Sequence, residues 1–416
     1  MTNANTLAEA DRAAILERLR VVIAEQIAPN ARRYDESGEF PADNFAALGR
    51  AGLMGLYIPT AYGGLGGDHR LYSEVIRRLA KACASTAMLS VMHNTQYSPL
   101  VFHGTQRQRE FFLPPTARGE WFFANAATEA MSGDSTYAPG AVPHSVLRPN
   151  PSGGFLLDAQ KNIVSGSSHA RWVFLACREE SDSKGAKRAI FAPGLGHGAV
   201  KAFGEWNTIG MRATSSTGLD YRGCEIPDWH IFEPDLPLGQ SLLPIGILGF
   251  CSVWIGIAAA ACEATIAHVA GRSIELIQSE RRAGGESALV PVHSTVARFE
   301  SVQRQVSEMR VRVDAASALV DDLAQAMDRS RPQPGESIPT DVFERIVDRC
   351  LSSRVGTSET AIDVCRVGMR VCGARALQRG GLPLERLMRD ALTAQVMGPT
   401  EDALKVRYGR RLLGLE

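Results

Sequence analysis

The sequence predicts an α+β multidomain chain: an N-terminal helical domain, a middle antiparallel β-barrel or sandwich, and a C-terminal four-helix bundle. Three observations predict it. Apolar residues recur in steps of three and four towards both ends of the chain, short β-type runs bounded by turn residues fill the middle, and one uncharged run, Ser241 to Cys262, has the length of a core helix. The expected domains are 1–122, 123–231 and 232–416.

In the first domain, Thr6 and Glu9 form a capping-box pattern ahead of Ile15, Leu19, Val22 and Ile23 at helical spacing. The connector from Leu53 to Gly67 is turn-rich. Its glycines lack the Lys-Ser/Thr of a phosphate loop and no strand–turn–helix unit surrounds them, so they read as a structural turn. Leu71 to Val91 reads as helix again, followed by His93, Asn94 and Thr95.

In the middle domain the expected strands are Phe155 to Val164, Trp172 to Cys177, Ala189 to Phe191 and Leu219 to Ile226, separated by Gly, Pro, Asn and Ser clusters. Strands without intervening helices suit a small antiparallel barrel or sandwich. In the last domain, Val296, Phe299, Val302, Val306, Met309, Val313, Ala316 and Leu323 form one apolar stripe of a long helix. An exposed linker follows from Arg331 to Gly335, then a second long helix from about Thr340 to Val371. With the segment 246–270 and the C-terminal helix these make the bundle.

Composition narrows the function classes. The 416 residues are 45% hydrophobic with zero formal net charge and no basic tail, which argues against nucleic acid or an anionic membrane as partner. The eight cysteines occur singly, without a CxxC pair, and read as reduced thiols of a cytoplasmic protein; the N-terminus carries no signal pattern. Ser241 to Cys262 is long enough to cross a bilayer, but it is alone and holds Pro244, Gly246, Gly249 and Gly256, so a buried core helix is expected. No metal-ligand cluster is expected, because the nine His residues are scattered and none is paired at helical spacing with Glu or Cys. His93 and His268 are isolated, and a lone His more often satisfies a core or surface position than a catalytic role.

The motifs together resemble the acyl-CoA dehydrogenase superfamily of flavoproteins over almost the whole chain. The resemblance rests on Gly52-Leu-Met-Gly55, Pro59 and Tyr62-Gly-Gly64; on Ala127 to Asp134, similar to the family's TEPxxGSD; and on Lys161 to Gly166 with Trp172, similar to its K-x-W-I-T-N strand. Gly210 to Thr217 resembles its G-M-R-x-S loop, and Cys262 to Thr265 and Leu384 to Asp390 match in the bundle. The resemblance implies FAD, with FMN or a freely exchanging reduced flavin as alternatives. The flavin would lie between the β domain and the bundle, against Asn125, Ala127, Thr128, Ile163 and Ser165. Ile163 stands where the family has a Trp beside the flavin ring. Family phosphate anchors have partial counterparts in Arg272, Arg370 and Gly373; Thr400, retained after the helix break at Gly398-Pro399, is expected to bind the cofactor too, and it could cap the helix that follows.

The catalytic Glu of typical members is absent. Its position falls on Met397 or Gly398, and the alternative position, on a bundle helix, falls in Pro244 to Leu248. Neither place holds a group that accepts a proton. Three readings stand. The first is oxidation of an acyl thioester, on CoA or a carrier protein, with Glu401 as a relocated base; Glu129 is the weaker candidate because it belongs to the flavin segment. The second is a flavin-dependent monooxygenase supplied by a flavin reductase. The third is a non-catalytic binding homologue. Glu401 also suits a plain structural role as a carboxylate at a helix N-terminus. The resemblance further implies an electron acceptor as partner and a homodimer or homotetramer.

Overall fold

The computed structural model describes residues 7–129, 142–182, 185–233, 236–281, 287–333 and 335–415. Helix α1 (Glu9–Val22) passes through a π-helical turn at Ile23–Ile27 into α2 (Ala28–Ser37), and α3 (Ala42–Arg50) follows. Thr6 of the expected capping box lies outside the described residues; the cap position of α1 is Ala8, without a side-chain hydrogen bond.

The helix expected from Leu71 to Val91 is two helices. Asp68 caps α4 (His69–Ala82) by accepting the Leu71 N–H at 2.7 Å, and α5 (Ala84–His103) begins after the extended Cys83. His93, Asn94 and Thr95 therefore lie inside α5 rather than after it. Every residue of α5 from Ala84 to Phe102 is buried, so this helix has no polar face to give a 3.6-residue period. Helix α6 (Gln106–Ala117) carries a reciprocal capping box between Thr105 and Gln108.

Seven strands form the middle sheet: β1 (Phe122–Glu129), β2 (Val146–Pro149), β3 (Phe155–Ser165), β4 (Ala170–Glu179), β5 (Lys187–Pro193), β6 (Val200–Phe203) and β7 (Gly218–Ile226). Pairings β1–β4, β4–β2, β2–β3 and β3–β1 close a ring, with β5 added beside β4 and β7–β6 beside β3. The expected sheet was wholly antiparallel, whereas β1–β4 and β2–β4 are parallel. β1 and β2 reach β4 through long connections instead of tight hairpins, and strand-run spacing carries no record of that.

The C-terminal part holds α7 (Gly239–Gly271), α8 (Glu300–Arg329), α9 (Thr340–Cys372) and α10 (Leu384–Val396), with α11 (Glu401–Leu412) against α9. α7 is long and apolar enough to cross a membrane, yet 89% of its most apolar window is buried within the fold. Its glycines let α4 approach: a Cβ on Gly256 would stand 2.6 Å from the Arg77 carbonyl oxygen.

Between α7 and α8 stands a hairpin that the sequence did not suggest, β8 (Ser273–Arg281) with β9 (Ser287–Thr295), paired from Ser273↔Thr295 to Arg281↔Ser287. The stripe expected to start a helix at Val296 first makes a 3-10 turn, Val296–Arg298.

Candidate active site

The predicted cofactor positions in the β domain meet across one ladder. Asn125 on β1 lies opposite Ser165 on β3, Thr128 lies opposite Ile163, and the register shifts between them around Ala127. A shift of this kind re-aims side chains at the rim of a sheet. Asn125 Oδ1 is buried without a hydrogen-bond partner, and Ile163 is 47% exposed although it lies in a strand. An unmet acceptor beside an uncovered apolar side chain is what a flat, partly polar ligand would complete.

The base of this ladder is fixed by an ion pair. The Lys161 ammonium, wholly buried, lies 2.6 Å from Glu129 Oε1 and also donates to the Ala176 carbonyl at 3.1 Å. The Glu129 carboxylate accepts the His144 and Ser145 N–H groups at 2.7 and 3.1 Å, and the Ser145 hydroxyl as well. Burial opposes ionisation of Glu129, but Lys161 and these donors outweigh it and hold the carboxyl below its usual range. Burial pulls Lys161 down from its ordinary value while Glu129 pulls it back. Glu129 is thus committed to structure.

The loop at 210–217 closes over the end of β3. Its backbone receives the Gly166 N–H at the Thr214 carbonyl (2.8 Å), and Ser216 donates to the Ser165 hydroxyl at 3.0 Å. Met211 (φ 51°) and Ser215 (φ 45°) adopt left-handed conformations, which cost of order 1–3 kcal/mol each for non-glycine residues and persist only when the surroundings impose them. α10 supplies that restraint: Asp390 Oδ1 accepts the Met211 N–H at 2.7 Å, and a Cβ on Gly210 would stand 2.0 Å from the Arg389 carbonyl. Arg389 itself pairs with Asp35 at 2.6 Å and Glu385 at 2.8 Å and donates to the Ile209 carbonyl, so one arginine joins α2, the β-domain loop and α10.

After α10 the chain breaks at 397–400, with a cis Gly398–Pro399 peptide, and Thr400 caps α11 by accepting the Ala403 N–H. Glu401 is buried. Its Oε2 accepts the Ser358 hydroxyl at 2.9 Å and its Oε1 lies 2.5 Å from Lys405, which also pairs with Glu359. Both oxygens are therefore engaged, and the contacts tie α11 to α9.

The phosphate-anchor candidates lie elsewhere. Arg272 ends α7, and Gly373 (φ 67°) ends α9 just beyond the exposed Arg370. Burial pushes the Cys372 thiol up while Thr265 and Arg272 pull it back. His268 is lowered by burial, with Arg272 and Arg375 adding to the effect. Ser358 on α9 stands fifteen residues before Gly373, the residue that follows the helix, a separation of about 20 Å. The structure thus brings Asn125, Thr128, Ile163 and Ser165 together, leaves Arg272 and Gly373 at the C-terminal ends of α7 and α9, and sets Glu401, which is bonded to Ser358, well apart from Gly373. His93 is buried inside α5, where its Nδ1 accepts the Phe123 N–H at 3.1 Å, and desolvation lowers its pKa to about 3. Asp390 and Arg389 were visible in the sequence only as a motif; their function of docking the loop needed the tertiary contact.

Two sequence profiles match this chain: "Acyl-CoA dehydrogenase, N-terminal domain" over residues 9–120 and "Acyl-CoA dehydrogenase, C-terminal domain" over 291–413. A probable acyl-CoA dehydrogenase of Bacillus subtilis is 24% identical over 405 residues, covering 96% of this chain and 97% of that protein. The butyryl-CoA dehydrogenase structure from Megasphaera elsdenii superposes with a TM-score of 0.82 at 20% identity, covering 98% of this chain and 99% of that one. The dibenzothiophene monooxygenase from Paenibacillus sp. A11-2 superposes with a TM-score of 0.79 at 20% identity, covering 98% of both chains.

Proposed function

This chain belongs to the acyl-CoA dehydrogenase superfamily, and from that premise we propose that it is a flavin-dependent oxidoreductase acting on an acyl thioester carried by CoA or a carrier protein. The observation that carries the flavin is the β1–β3 ladder, with the unpartnered Asn125 Oδ1 and the uncovered Ile163. Asn125 offers an acceptor to an N–H at the ring's polar edge, Ser165 offers a hydroxyl, and Ile163 covers an apolar face. Backbone groups of Ala127 and Thr128 complete that edge. FAD is the favoured form; FMN is the alternative, and the Paenibacillus monooxygenase has been solved with FMN bound. When bound, a flavin supplies hydride or electron transfer, which the side chains of this chain do not.

The residues around it position and restrain. Asp390 holds the 210–217 loop, which in turn fixes the Ser165 hydroxyl. In this reading Arg272, Arg370 and Gly373 serve a diphosphate, and the distance of Gly373 from Glu401 suits a flavin shared between two copies of the chain. A homodimer or homotetramer follows from this reading. Exposed Val396, Val406 and Leu412 on α10 and α11 support it. The buried, unpaired cysteines support a cytoplasmic location, and an electron-transferring flavoprotein suits as acceptor.

In this reading Glu401 takes the substrate proton, being the nearest carboxylate after the break at Gly398-Pro399. One observation favours a second reading: both Glu401 oxygens are already occupied by Ser358 and Lys405. A monooxygenase using reduced flavin and O2 needs no such base. Titration of the purified protein with FAD and FMN tests the shared premise: a saturable bound-flavin spectrum supports it, and no binding of either contradicts it.

A further inference from the structure

The turn that joins α9 to α10 closes one wall of a charged cavity of about 200 Å³, which α2, Arg212 of the 210–217 loop and the first turns of α10 complete. Five arginines and three carboxylates line it. The carboxylates are spent on two of the arginines: Arg389 pairs with Asp35 at 2.6 Å and Glu385 at 2.8 Å, and Arg32 pairs with Glu36 at 2.7 Å. Arg212, Arg379 and Arg386 form no ion pair among the described residues. Arg212 donates to the Asp35 and Thr208 carbonyls at 2.7 and 2.9 Å, and Arg386 to the Ala82 carbonyl at 3.3 Å. Neutral acceptors leave both charges uncompensated, and Arg379 is exposed. Asp390 feels Arg386 through space, but it is buried, does not line the cavity and accepts the Met211 N–H. Gly380 (φ 78°) brings its backbone against this cluster: a Cβ there would stand 2.5 Å from Arg32 Nη1, so a side chain would push Arg32 off the wall. Three like charges around one cavity repel each other, and a polyanion between them offsets that repulsion.

We propose that this cavity binds the diphosphate group of a small metabolite, held by Arg212, Arg379 and Arg386. A guanidinium fork matches a pair of phosphate oxygens, and a diphosphate carries the charge and the oxygens to meet three forks at once. A single carboxylate would leave two of the three cations uncompensated. The same recognition serves free pyrophosphate and the diphosphate end of a nucleotide. None of the ladder residues Asn125, Thr128, Ile163 and Ser165 lines the cavity, so the site is separate from the proposed flavin edge and stands without the flavin and thioester readings. An occupant would nevertheless touch the loop that fixes Ser165, because Arg212 belongs to that loop and Arg389 donates to the Ile209 carbonyl before it.

The test is calorimetric titration of the purified, flavin-loaded protein with pyrophosphate, ADP and sulfate at constant ionic strength. The expected result is saturable binding at one site per chain, with the better of the two diphosphates at least about tenfold tighter than sulfate. Arg379→Glu, a change at an exposed position, should weaken that binding at least about tenfold, and Arg386→Gln should weaken it too. ADP binding as tightly as pyrophosphate or more so assigns the site to a nucleotide, and weaker ADP binding assigns it to the free anion; both uphold the proposal. No saturable binding of either diphosphate, binding no tighter than sulfate, or an affinity unchanged in Arg379→Glu would overturn it. If Arg386→Gln does not fold, Arg379→Glu decides alone. If the protein takes up no flavin, the flavin reading fails separately and the protein is titrated as purified, with Arg370→Ala alongside. Binding kept in Arg370→Ala and lost in Arg379→Glu then upholds the cavity, and the reverse overturns it.

Discussion

The Asp390 carboxylate accepts the Met211 backbone N–H at 2.7 Å, joining a bundle helix to the loop that borders the proposed flavin ladder. Asp390 is buried, and desolvation raises its pKa to about 6, against the pull of Arg386 and of the Met211 N–H. A carboxyl raised above its unfolded value stabilises the fold fully below the unfolded pKa and loses that contribution as pH rises through the folded one. The window here is pH 4 to 6, and a shift of about two units corresponds to about 3 kcal/mol. Asp390→Asn keeps an acceptor for Met211 without the charge. Its stability relative to the unmodified protein should rise across that window and stay level above it, as read by chemical denaturation at each pH. A variant less stable at pH 7 would show that the charge is needed.

Lys161→Met should be among the most damaging single changes in the β domain. It leaves the buried Glu129 carboxylate without its cation, a loss of about 3–5 kcal/mol. Urea unfolding measures it; a loss below about 1 kcal/mol would mean that Glu129 takes up a proton or finds water at little cost.

The two ladder residues should separate flavin binding from folding. Asn125→Ala removes the unmet acceptor, so it should weaken flavin binding by roughly tenfold while leaving unfolding of the flavin-free protein within about 1 kcal/mol. Ser165→Ala should weaken flavin as well, because it removes a hydroxyl at the same edge. Unchanged flavin affinity in both variants would exclude this ladder as the site.

Gly256→Ala should destabilise through packing. The added methyl would stand 2.5 Å from the Ala80 Cβ and 2.6 Å from the Arg77 carbonyl, so α7 and α4 must part. The expected loss is about 1–3 kcal/mol despite the better helix propensity of Ala. A neutral or stabilising result would show that the helices separate freely.

Much of this was legible in the sequence where chemistry and local geometry agree. The stripe from Met309 to Leu323 and the apolar run through α7 gave their helices because each buries a defined face or lies wholly inside. The Thr400 cap and the break before it were legible from Gly398-Pro399. The extent of α5 was not, because a helix buried on every side has no amphipathic period. The parallel β1–β4 pairing depends on connection path rather than on local pattern. At the site, the sequence located Asn125 and Ser165 through resemblance, and their register came from the fold. The burial of Arg354 gave no local signal, since an arginine on a helix ordinarily reads as surface, yet it is 1% exposed and lies against the rings of Trp254 and Phe250, about a hundred residues away in sequence.

The most direct measurement is anaerobic mixing of the flavin-loaded protein with a panel of acyl-CoA thioesters, following the flavin absorbance. Bleaching by at least one thioester is expected, abolished in Glu401→Gln with the flavin retained. Bleaching unchanged in Glu401→Gln would remove Glu401 as the base. No bleaching by any thioester, together with O2-dependent oxygenation of a substrate by the reduced protein, would contradict the acyl-thioester reading and leave the monooxygenase.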